Sequence, residues 1–215
     1  MKLLSYDTLK YVLESVFAGV ALAVATPVLV ATAVVVRVRL GSPVLFRQVR
    51  PGLGARPFEM LKFRTMTDAR APDGTLRSDG ERLTPTGRFL RRTSLDELPG
   101  LVNVLRGEMS LVGPRPLLTR YLPYYTDRER VRFTVRPGIT GWAQVHGRND
   151  ARWDARLAHD VWYVANRSAA LDARILWRTV AAVFRRDGVV EDPGAAMLDL
   201  DAERAGRAGA AGTGL

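Results

Sequence analysis

The segment between Glu14 and Arg37 contains no charged residue, and residues 16–36 are apolar apart from two threonines and a glycine. A helix of that length would be about 30 Å long, which is enough to cross the hydrocarbon core of a bilayer. The segment is therefore a membrane-spanning helix, a secretory signal peptide, a helix that enters the bilayer and returns, or a helix of a soluble core. Its length makes the soluble helix the weakest of these interpretations.

Pro27 lies near the middle of this segment and decides between the membrane interpretations. Proline removes one backbone hydrogen bond and bends a helix, and the hydroxyl of Thr26 can bond back to a carbonyl. A re-entrant hairpin is therefore accessible, but spanning helices also tolerate proline, and the residues alone slightly favour spanning. Ala31–Ala33 has the A-x-A form of a signal-peptide cleavage site, but the apolar run is too long for a signal peptide.

Basic residues follow the apolar segment directly. Arg37, Arg39, Arg47 and Arg50 place the downstream body in the cytoplasm by the positive-inside rule. The chain of 215 residues has a formal net charge of +10, although the segment from Glu191 onward is net acidic. We therefore expect an anionic partner, which could be nucleic acid, an acidic membrane surface or a phosphorylated small molecule.

The metal-binding residue types are limited. The chain has no cysteine, which excludes disulfides, thiol catalysis and thiolate metal sites. His146 and His159 lie too far apart in sequence for an H-x-x-x-H zinc site. A metal would therefore be a hard ion on carboxylates, such as Mg²⁺.

The rest of the chain alternates apolar patterns with turn-rich loops. β-prone pieces at residues 44–46 and 58–61, separated by turn formers, predict a hairpin. Apolar spacing predicts helices over residues 98–106, 117–125, 153–166 and 171–186. The Ala/Gly-rich sequence after Pro193 predicts a disordered tail. The chain is thus divided into a membrane helix (1–40), a body (41–190) and a tail (191–215).

The run Ser94-Leu95-Asp96-Glu97-Leu98-Pro99 sets two adjacent carboxylates among arginines. Ser94 and Glu97 have the spacing of a capping box at a helix start, and Pro99 supports that start because proline is tolerated in the first turn. A helix start also favours ionised carboxylates and bound anions. A carboxylate can attack phosphorus when cations offset the phosphate charge. Asp96 is therefore the candidate nucleophile, and Glu97 is the candidate Mg²⁺ ligand.

Arginine forks suit bidentate phosphate recognition better than lysine does. Arg115 and Arg136 are the stronger candidates, because neighbouring Pro and Gly residues fix their backbone. Lys62 and Arg64 would share one face of a strand. The arginines that could hold phosphates are Arg91, Arg92, Arg115, Arg136 and Arg148.

The stretch SLDELPGLVNVLRGEMSLVGPRPL resembles the signature of the bacterial sugar transferases that act as monotopic polyprenyl-phosphate phosphoglycosyl transferases. GSPVLFRQVRPG, FEMLKFRTM, RPGITGWAQVHGRN and DVWYV also match in the family's order, so the resemblance covers roughly residues 8–190. It implies an α/β fold, mostly helical with a small sheet or hairpin. That single catalytic domain would carry surface amphipathic helices and an N-terminal re-entrant helix. It would face the cytoplasm at the bacterial inner membrane.

The resemblance also implies a reaction. A phosphosugar would pass from a UDP-sugar to polyprenyl (undecaprenyl) phosphate, with release of UMP, in the step that initiates glycoconjugate assembly. By motif position, Asp96 would form a covalent phosphosugar intermediate, and Glu97 would bind Mg²⁺. The substrate-binding residues that the resemblance implies are Lys62, Arg91, Arg115, Arg136, Arg148 and Asp160.

The chain departs from the family pattern at several positions. Thr26-Pro27 stands where the family breaks its helix with Ser-Pro, and the retained hydroxyl shifts our preference from a spanning to a re-entrant helix. Lys10-Tyr11 replaces a basic pair and Glu14 replaces an aspartate, which bears on how the helix is anchored at the headgroups. His146 replaces an asparagine, which bears on sugar preference.

The expected partners are a UDP-sugar, polyprenyl phosphate and membrane lipids, without nucleic acid. The sugar, the glycan pathway and the oligomeric state stay open, including a homodimer. A second hypothesis is a membrane-tethered basic protein that binds nucleic acid or acidic lipid. Paired carboxylates argue against it, since a surface for nucleic acid would keep acidic groups away from the phosphates.

Overall fold

A computed structural model describes residues 6–146, 152–185 and 199–212. Within these ranges the chain is mostly helical and has two small sheets. The helices are α1 (Tyr6–Leu40), α2 (Asp79–Arg82), α3 (Pro85–Arg92), α4 (Gly100–Leu105), α5 (Asp127–Arg130), α6 (Trp142–His146), α7 (Trp153–Asn166), α8 (Ala169–Arg185) and α9 (Leu200–Gly212). The strands are β1 (Leu45–Pro51), β2 (Pro57–Phe63), β3 (Ser110–Val112) and β4 (Gly138–Thr140). Short 3₁₀ turns occur at Leu53–Ala55, Leu95–Glu97, Thr119–Tyr124 and Val131–Thr134.

The predicted hairpin is confirmed. Strands β1 and β2 pair antiparallel from Leu45 opposite Phe63 to Pro51 opposite Pro57. The second sheet was not predicted: β3 and β4 pair in parallel, with Ser110 opposite Gly138 and Val112 opposite Thr140. Strands of three residues are too short to carry a recognisable alternation of apolar and polar residues.

Helix α1 runs without interruption through Thr26 and Pro27. The hydroxyl of Thr26 donates to the carbonyl of Leu22 at 2.8 Å, so it bonds back within its own helix. The predicted helix-break-helix is corrected at the level of secondary structure, because the helix continues past a proline that removes only one backbone donor. By length and composition, α1 is long and apolar enough to cross a membrane.

Both halves of α1 contact the folded body. Near its start, Ala18 is fully buried in a core cluster that includes Val104 of α4. Near its end, Val36 is fully buried with Phe63 of β2 and Leu90 of α3. Both halves of the helix therefore lie against the body, while residues 23–28 between these contacts are mostly exposed.

A buried amide joins α4 to β2. Asn103 is fully buried; its Oδ1 accepts from the backbone N–H of Leu61 at 3.0 Å, and its Nδ2 donates to the carbonyl of Glu59 at 2.7 Å. The amide therefore bonds the edge of β2 as a neighbouring strand would. Because α4 follows the two acidic residues directly, this contact fixes them beside β2.

The helix predictions are largely confirmed. Helix α7 has the bounds predicted for residues 153–166, α8 corresponds to the helix predicted over 171–186, and α4 to that over 98–106. The helix predicted over residues 117–125 is wrong, because the chain there forms a 3₁₀ turn that contains Pro123. Proline lacks the N–H that an α-helix would use at that position.

The predicted disorder of the tail is corrected over Leu200–Gly212, which forms α9. Leu200 is fully buried in a cluster with Tyr121, Trp153 and Leu157. Arg204 bonds both carboxylate oxygens of Glu129, at 2.6 and 2.8 Å. These contacts with residues far away in sequence stabilise a helix that its Ala/Gly-rich composition does not reveal. Residues 186–198, which join α8 to this segment, lie outside the described ranges.

Candidate active site

The two adjacent carboxylates lie in the 3₁₀ turn Leu95–Glu97, which leads through Pro99 into α4. Ser94 has a left-handed backbone conformation (φ 55°) and its side chain makes no capping hydrogen bond. The predicted capping box at Ser94 and Glu97 is therefore wrong, because the serine is used to turn the chain. Capping boxes do occur elsewhere, between Ser78 and Glu81 and between Thr126 and Glu129.

Glu97 is held by two cations. Its Oε1 accepts from Nζ of Lys62 at 2.7 Å and from Nη2 of Arg115 at 3.0 Å. Burial by itself would raise the pKa of Glu97, but Arg115 and Lys62 lower it to about 2. Glu97 is therefore ionised at every physiological pH, and it brings a residue of β2 and a residue of the Gly113–Pro116 loop to the same carboxylate.

Asp96 is in a different environment although it is the next residue. It is only 7% exposed, and within the described part of the chain its carboxyl group has no hydrogen-bond or ion-pair partner. Burial raises the pKa of Asp96 to about 6; Lys62 opposes this rise, and the Glu97 carboxylate adds to it. Asp96 is thus a basic, unengaged carboxylate, which is the state that a carboxylate nucleophile requires.

Both acids line a cleft of about 1370 Å³. Ten cationic side chains line it: Arg50, Lys62, Arg64, Arg82, Arg91, Arg92, Arg115, Arg120, Arg132 and Arg156. Six carboxylates line it: Asp68, Asp79, Asp96, Glu97, Asp160 and Asp199. The excess of positive charge suits a ligand that carries several negative charges.

The loop that carries Arg115 is fixed through its backbone. The N–H of Gly113 donates to the carbonyl of Thr140 at 2.9 Å, and the N–H of Gly138 donates to the carbonyl of Pro114 at 3.0 Å. A Cβ on Gly113 would lie 2.5 Å from the carbonyl oxygen of Arg136, so only glycine allows this approach. Arg115 is therefore presented from a rigid loop against β4.

The buried ion pair between Arg132 and Asp160 supports the same loop. Nη2 of Arg132 donates to the carbonyl of Arg115 at 2.6 Å and to Oδ2 of Asp160 at 2.9 Å, while Nη1 donates to the hydroxyl of Tyr125 at 2.7 Å. The side chains of Arg132 and Asp160 are 2% and 6% exposed. Arg132 was not predicted as a site residue, since a single arginine between Val131 and Phe133 carries no recognisable motif. Arg156 is a second cleft residue that was not predicted.

Arg91 lies at the end of α3 and lines the cleft. Its Nε donates to the hydroxyl of Thr65 at 3.2 Å. Gly87 allows α3 to approach, because a Cβ there would lie 1.8 Å from the carbonyl oxygen of Thr65. Thr84 caps the start of α3 and Pro85 is its first residue. The helix that they begin directs its basic C-terminal turn toward Asp96 and Glu97.

Seven of the predicted site residues line this one cleft: Lys62, Arg91, Arg92, Asp96, Glu97, Arg115 and Asp160. Arg136 does not line it. Its guanidinium lies 4.0 Å from the centre of the Tyr11 ring on α1, against Gly107. Arg148 lies outside the described residues. The structure therefore gathers all but two of the predicted residues and places Arg136 at the contact between α1 and the body.

Comparison with known proteins identifies the relatives of this arrangement. Residues 5–186 match the model of the bacterial sugar transferase family. The chain belongs to this family. The match ends before α9, so the segment that contributes Leu200 and Asp199 lies beyond the residues that define this sugar transferase family.

Individual relatives have related names. The uncharacterised sugar transferase EpsL of Bacillus subtilis is 56% identical over 158 residues, which are 74% of this chain and 78% of that protein. The UDP-glucose:undecaprenyl-phosphate glucose-1-phosphate transferase of Caulobacter vibrioides is 41% identical over 191 residues, 84% of this chain and 72% of the relative. The undecaprenyl-phosphate galactose phosphotransferase of Salmonella typhimurium is 41% identical over 167 residues, 70% of this chain but 35% of that protein.

The donor groups of this sugar transferase fit Mg²⁺. Mg²⁺ is usually held by one or two carboxylates together with water and substrate phosphates, and its ligands must be deprotonated. Glu97 meets the second condition, because its pKa is about 2, and Asp96 is the neighbouring carboxylate. No cluster of three or more metal-ligating side chains occurs among the residues that the structure describes.

Proposed function

We propose that this chain is a phosphoglycosyl transferase that moves a phosphosugar from a UDP-sugar to a polyprenyl phosphate and thereby initiates assembly of a lipid-linked glycan. The observation that carries the proposal is the contrast within the acidic pair. Asp96 is buried and unengaged, whereas Glu97 is bound by Lys62 and Arg115 in a cleft lined by cations. The printed names of the Caulobacter and Salmonella relatives support the reaction and the polyprenyl acceptor.

In the first proposed step, a carboxylate oxygen of Asp96 attacks the β-phosphorus of the UDP-sugar. The bond from that phosphorus to the bridging oxygen breaks, and UMP leaves with the electron pair. Asp96 then carries the phosphosugar as an acyl phosphate. The raised pKa of Asp96 makes it a better nucleophile than an ordinary carboxylate, and about 6 is still low enough for the ionised form to predominate at neutral pH.

In the second step, a phosphate oxygen of the polyprenyl phosphate attacks the same phosphorus. The acyl phosphate bond breaks, the Asp96 carboxylate is regenerated, and the sugar leaves on the lipid diphosphate. The two half-reactions exchange one phosphoanhydride bond for another through the acyl phosphate, so no oxidant or water is consumed.

The surrounding cations would hold and neutralise the phosphates in both steps. Arg115 is aimed by its rigid loop and Arg91 by the end of α3, and Lys62 connects β2 to Glu97. Preorganised cations at such a site commonly supply the largest part of the rate enhancement. Glu97, with Asp96 beside it, would hold Mg²⁺, which when bound adds positive charge at the diphosphate.

We further propose that α1 enters the bilayer without crossing it, through a bend at Pro27 within one continuous helix, and that the body lies on the cytoplasmic face of the membrane. The packing of both halves of α1 against one body supports this arrangement, since that body cannot occupy both sides of a bilayer. Arg64 donates to the carbonyl of Ser42 at 2.9 Å just after α1, which holds the second end as well. Arg37 and Arg39 at this end support the cytoplasmic side.

The binding-protein hypothesis is not favoured. It offers no reason for a buried, unengaged carboxyl group inside the most cationic cleft described. It would also predict that the affinity for an anion falls steeply with salt and is insensitive to substitution of Asp96.

The proposal is tested by incubating the enzyme with a UDP-sugar labelled in its β-phosphate, without lipid acceptor. We expect a covalent adduct with wild type and none with Asp96→Asn. Asp79→Asn is the matched control, because Asp79 also lines the cleft but its side chain is 55% exposed and pairs with Arg82. It should retain the adduct. Two results would refute Asp96 as the nucleophile. One is that wild type forms no adduct with any UDP-sugar of a panel, and the other is that the adduct still forms in Asp96→Asn.

A further inference from the structure

A buried ammonium group joins the first turns of α1 to the body. The side chain of Lys10 is 7% exposed, and its Nζ donates to the carbonyl of Val112 at 2.7 Å, to Oδ2 of Asp172 at 2.7 Å and to the hydroxyl of Tyr163 at 2.9 Å. An ammonium has three N–H donors, and all three are used. Lys10 therefore has no donor left for a lipid headgroup, contrary to the anchoring role that its position in the sequence suggests.

The acceptors of this ammonium are themselves held. Asp172 also accepts from the hydroxyl of Tyr163 at 2.7 Å and from that of Tyr6 at 2.6 Å. Tyr163 gives its one proton to Asp172 and receives a hydrogen bond from Lys10. The network thus brings together residues of α1, α7 and α8 with the last residue of β3.

Val112 is the acceptor that matters for the active site. It directly precedes Gly113–Arg115, whose backbone groups are bonded at Gly113, Pro114 and Arg115. The carbonyl of Val112 accepts from Lys10 at 2.7 Å and from the hydroxyl of Ser110 at 2.8 Å, and the hydroxyl of Tyr163 lies 3.1 Å from it, so four consecutive residues up to Arg115 each have a fixed backbone group. Lys10 supplies the charged donor at the start of this run, and Arg132 supplies the one at its end.

A buried ion pair of this kind is weak evidence for stability. Replacing both partners by neutral groups of similar size is often neutral or stabilising, whereas removing one partner leaves a buried charge uncompensated. Holding α1 against the body does not require the bond to Val112, because apolar contacts around Ala18 and the ion pair between Asp7 and Arg167 already do so.

We propose that Lys10 is a positioning residue for the transfer reaction: through Val112 it sets the position of Arg115 relative to Glu97, so that the seating of α1 on the body and the geometry of the active site are coupled. The inference rests on the proposed function for its catalytic consequence. Its structural part, the fixing of residues 112–115 by Lys10, does not.

The test compares Lys10→Met, Asp172→Asn and the double variant. Lys10→Met leaves the charges of Asp172 and Glu14 uncompensated and should lower the Tm in detergent, and the double variant, which removes the first of these charges, should recover part of that loss. The double variant still lacks the charged donor to Val112, while the hydroxyls of Ser110 and Tyr163 remain beside that carbonyl. We therefore expect its rate of adduct formation at saturating UDP-sugar to stay about tenfold or more below wild type, because small misplacements of a charged group are costly.

Asp7→Asn/Arg167→Met is the matched control, since it removes another ion pair between α1 and the body without touching Val112. It should lower the Tm and leave the rate of adduct formation unchanged. Tyr6→Phe is a second variant; it removes a bond to Asp172 but keeps the Lys10 bond to Val112, and we expect a normal rate from it too. A double variant that regains both Tm and the wild-type rate would overturn the proposal, because Lys10 would then be structural only.

Hydrogen–deuterium exchange provides a readout that does not depend on activity. We expect faster exchange over residues 110–118 in the double variant and in Lys10→Met, and wild-type exchange in the control. If wild type forms no adduct but the exchange follows this pattern, the proposed function fails and the positioning role stands. Unchanged exchange in both Lys10 variants would refute that role whatever the activity.

Discussion

Asp96 and Glu97 are consecutive residues whose carboxyl groups titrate about four pH units apart: burial raises the pKa of Asp96 to about 6, while Arg115 and Lys62 lower that of Glu97 to about 2. The separation follows from where each side chain points. Glu97 meets two cations directly, and Asp96 meets none at hydrogen-bond distance. Neighbouring acids with opposite shifts are a common arrangement when two carboxyl groups have different catalytic roles.

The pKa of Asp96 predicts the pH dependence of the reaction. Since the attacking form is the carboxylate, kcat/KM for UMP release should fall about tenfold per pH unit below about pH 6 and level off above it. Glu97 should not contribute to this limb, because it stays ionised. Initial rates at low UDP-sugar concentration across the acidic range would measure the midpoint. A midpoint at the ordinary carboxyl value of about 4 would contradict the prediction.

The same shifts predict opposite effects of two neutral substitutions on stability. A raised pKa means that ionisation of Asp96 disfavours the folded state, with the cost fully present above about pH 6 and absent below about pH 4. Asp96→Asn should therefore stabilise the protein at about pH 8, by up to about 3 kcal/mol, with the gain fading in acid. Unfolding in detergent at several pH values measures it.

Glu97→Gln serves as the contrasting variant. The pKa of Glu97 is lowered in the folded protein, so ionisation of Glu97 stabilises the folded state above the ordinary pKa of about 4.5. This contribution to stability is lost as the pH falls toward about 2. Substitution should destabilise the protein at about pH 8. If Asp96→Asn and Glu97→Gln changed the stability in the same direction at about pH 8, the opposite environments described for Asp96 and Glu97 would be contradicted.

The buried pair between Arg132 and Asp160 should be sensitive to loss of either partner. Arg132→Met or Asp160→Asn should each cost about 3 kcal/mol of unfolding free energy, since an uncompensated charge is left behind. The double variant should cost less than the sum, because no buried charge remains. Arg132→Met and the double variant should also slow UMP release, since in both of them the carbonyl of Arg115 loses the Arg132 donor. Simple additivity in denaturant unfolding would contradict this coupling.

Gly113 should not tolerate a side chain. In Gly113→Ala the Cβ would lie 2.5 Å from the carbonyl oxygen of Arg136, which is backbone and cannot rotate away. We expect about 1–3 kcal/mol of destabilisation, together with reduced activity as the Arg115 loop shifts. Gly206→Ala in α9 is the control, because nothing lies within 4 Å of its added Cβ, and a helix gains up to about 1 kcal/mol from that change. Equal effects of the two substitutions would argue against the close approach.

The sequence predicted features that depend on local pattern and on motif. The hairpin, helices α7 and α8, and the acidic pair follow from alternation, from three- and four-residue spacing and from the resemblance of residues around Asp96. Failures came where distant contacts decide the structure. Ser94 has a local capping pattern but turns the chain, and the apparently disordered tail becomes helical because Leu200 enters a cavity lined by aromatic residues.

The charged residues of the candidate site could be predicted from the sequence, but the buried residues that hold them in place could not. Arg115 and Lys62 could be named because charged side chains near a motif suggest phosphate binding. Lys10 and Arg132 could not be assigned their places, because a buried cation leaves no trace in sequence until its partners are known. Arg136 shows the converse: it lies in a rigid Pro-Gly loop, yet it stacks on Tyr11 instead of lining the cleft.

The contacts at both ends of α1 have a mechanical consequence. Lys10 bonds the body near the first end of α1, and Arg64 bonds the chain just beyond the second end. The helix is therefore not a flexible tether for the body. In the proposed membrane arrangement, the distance from the cleft to the bilayer would then follow from the packing of α1 on the body, and no linker length would enter.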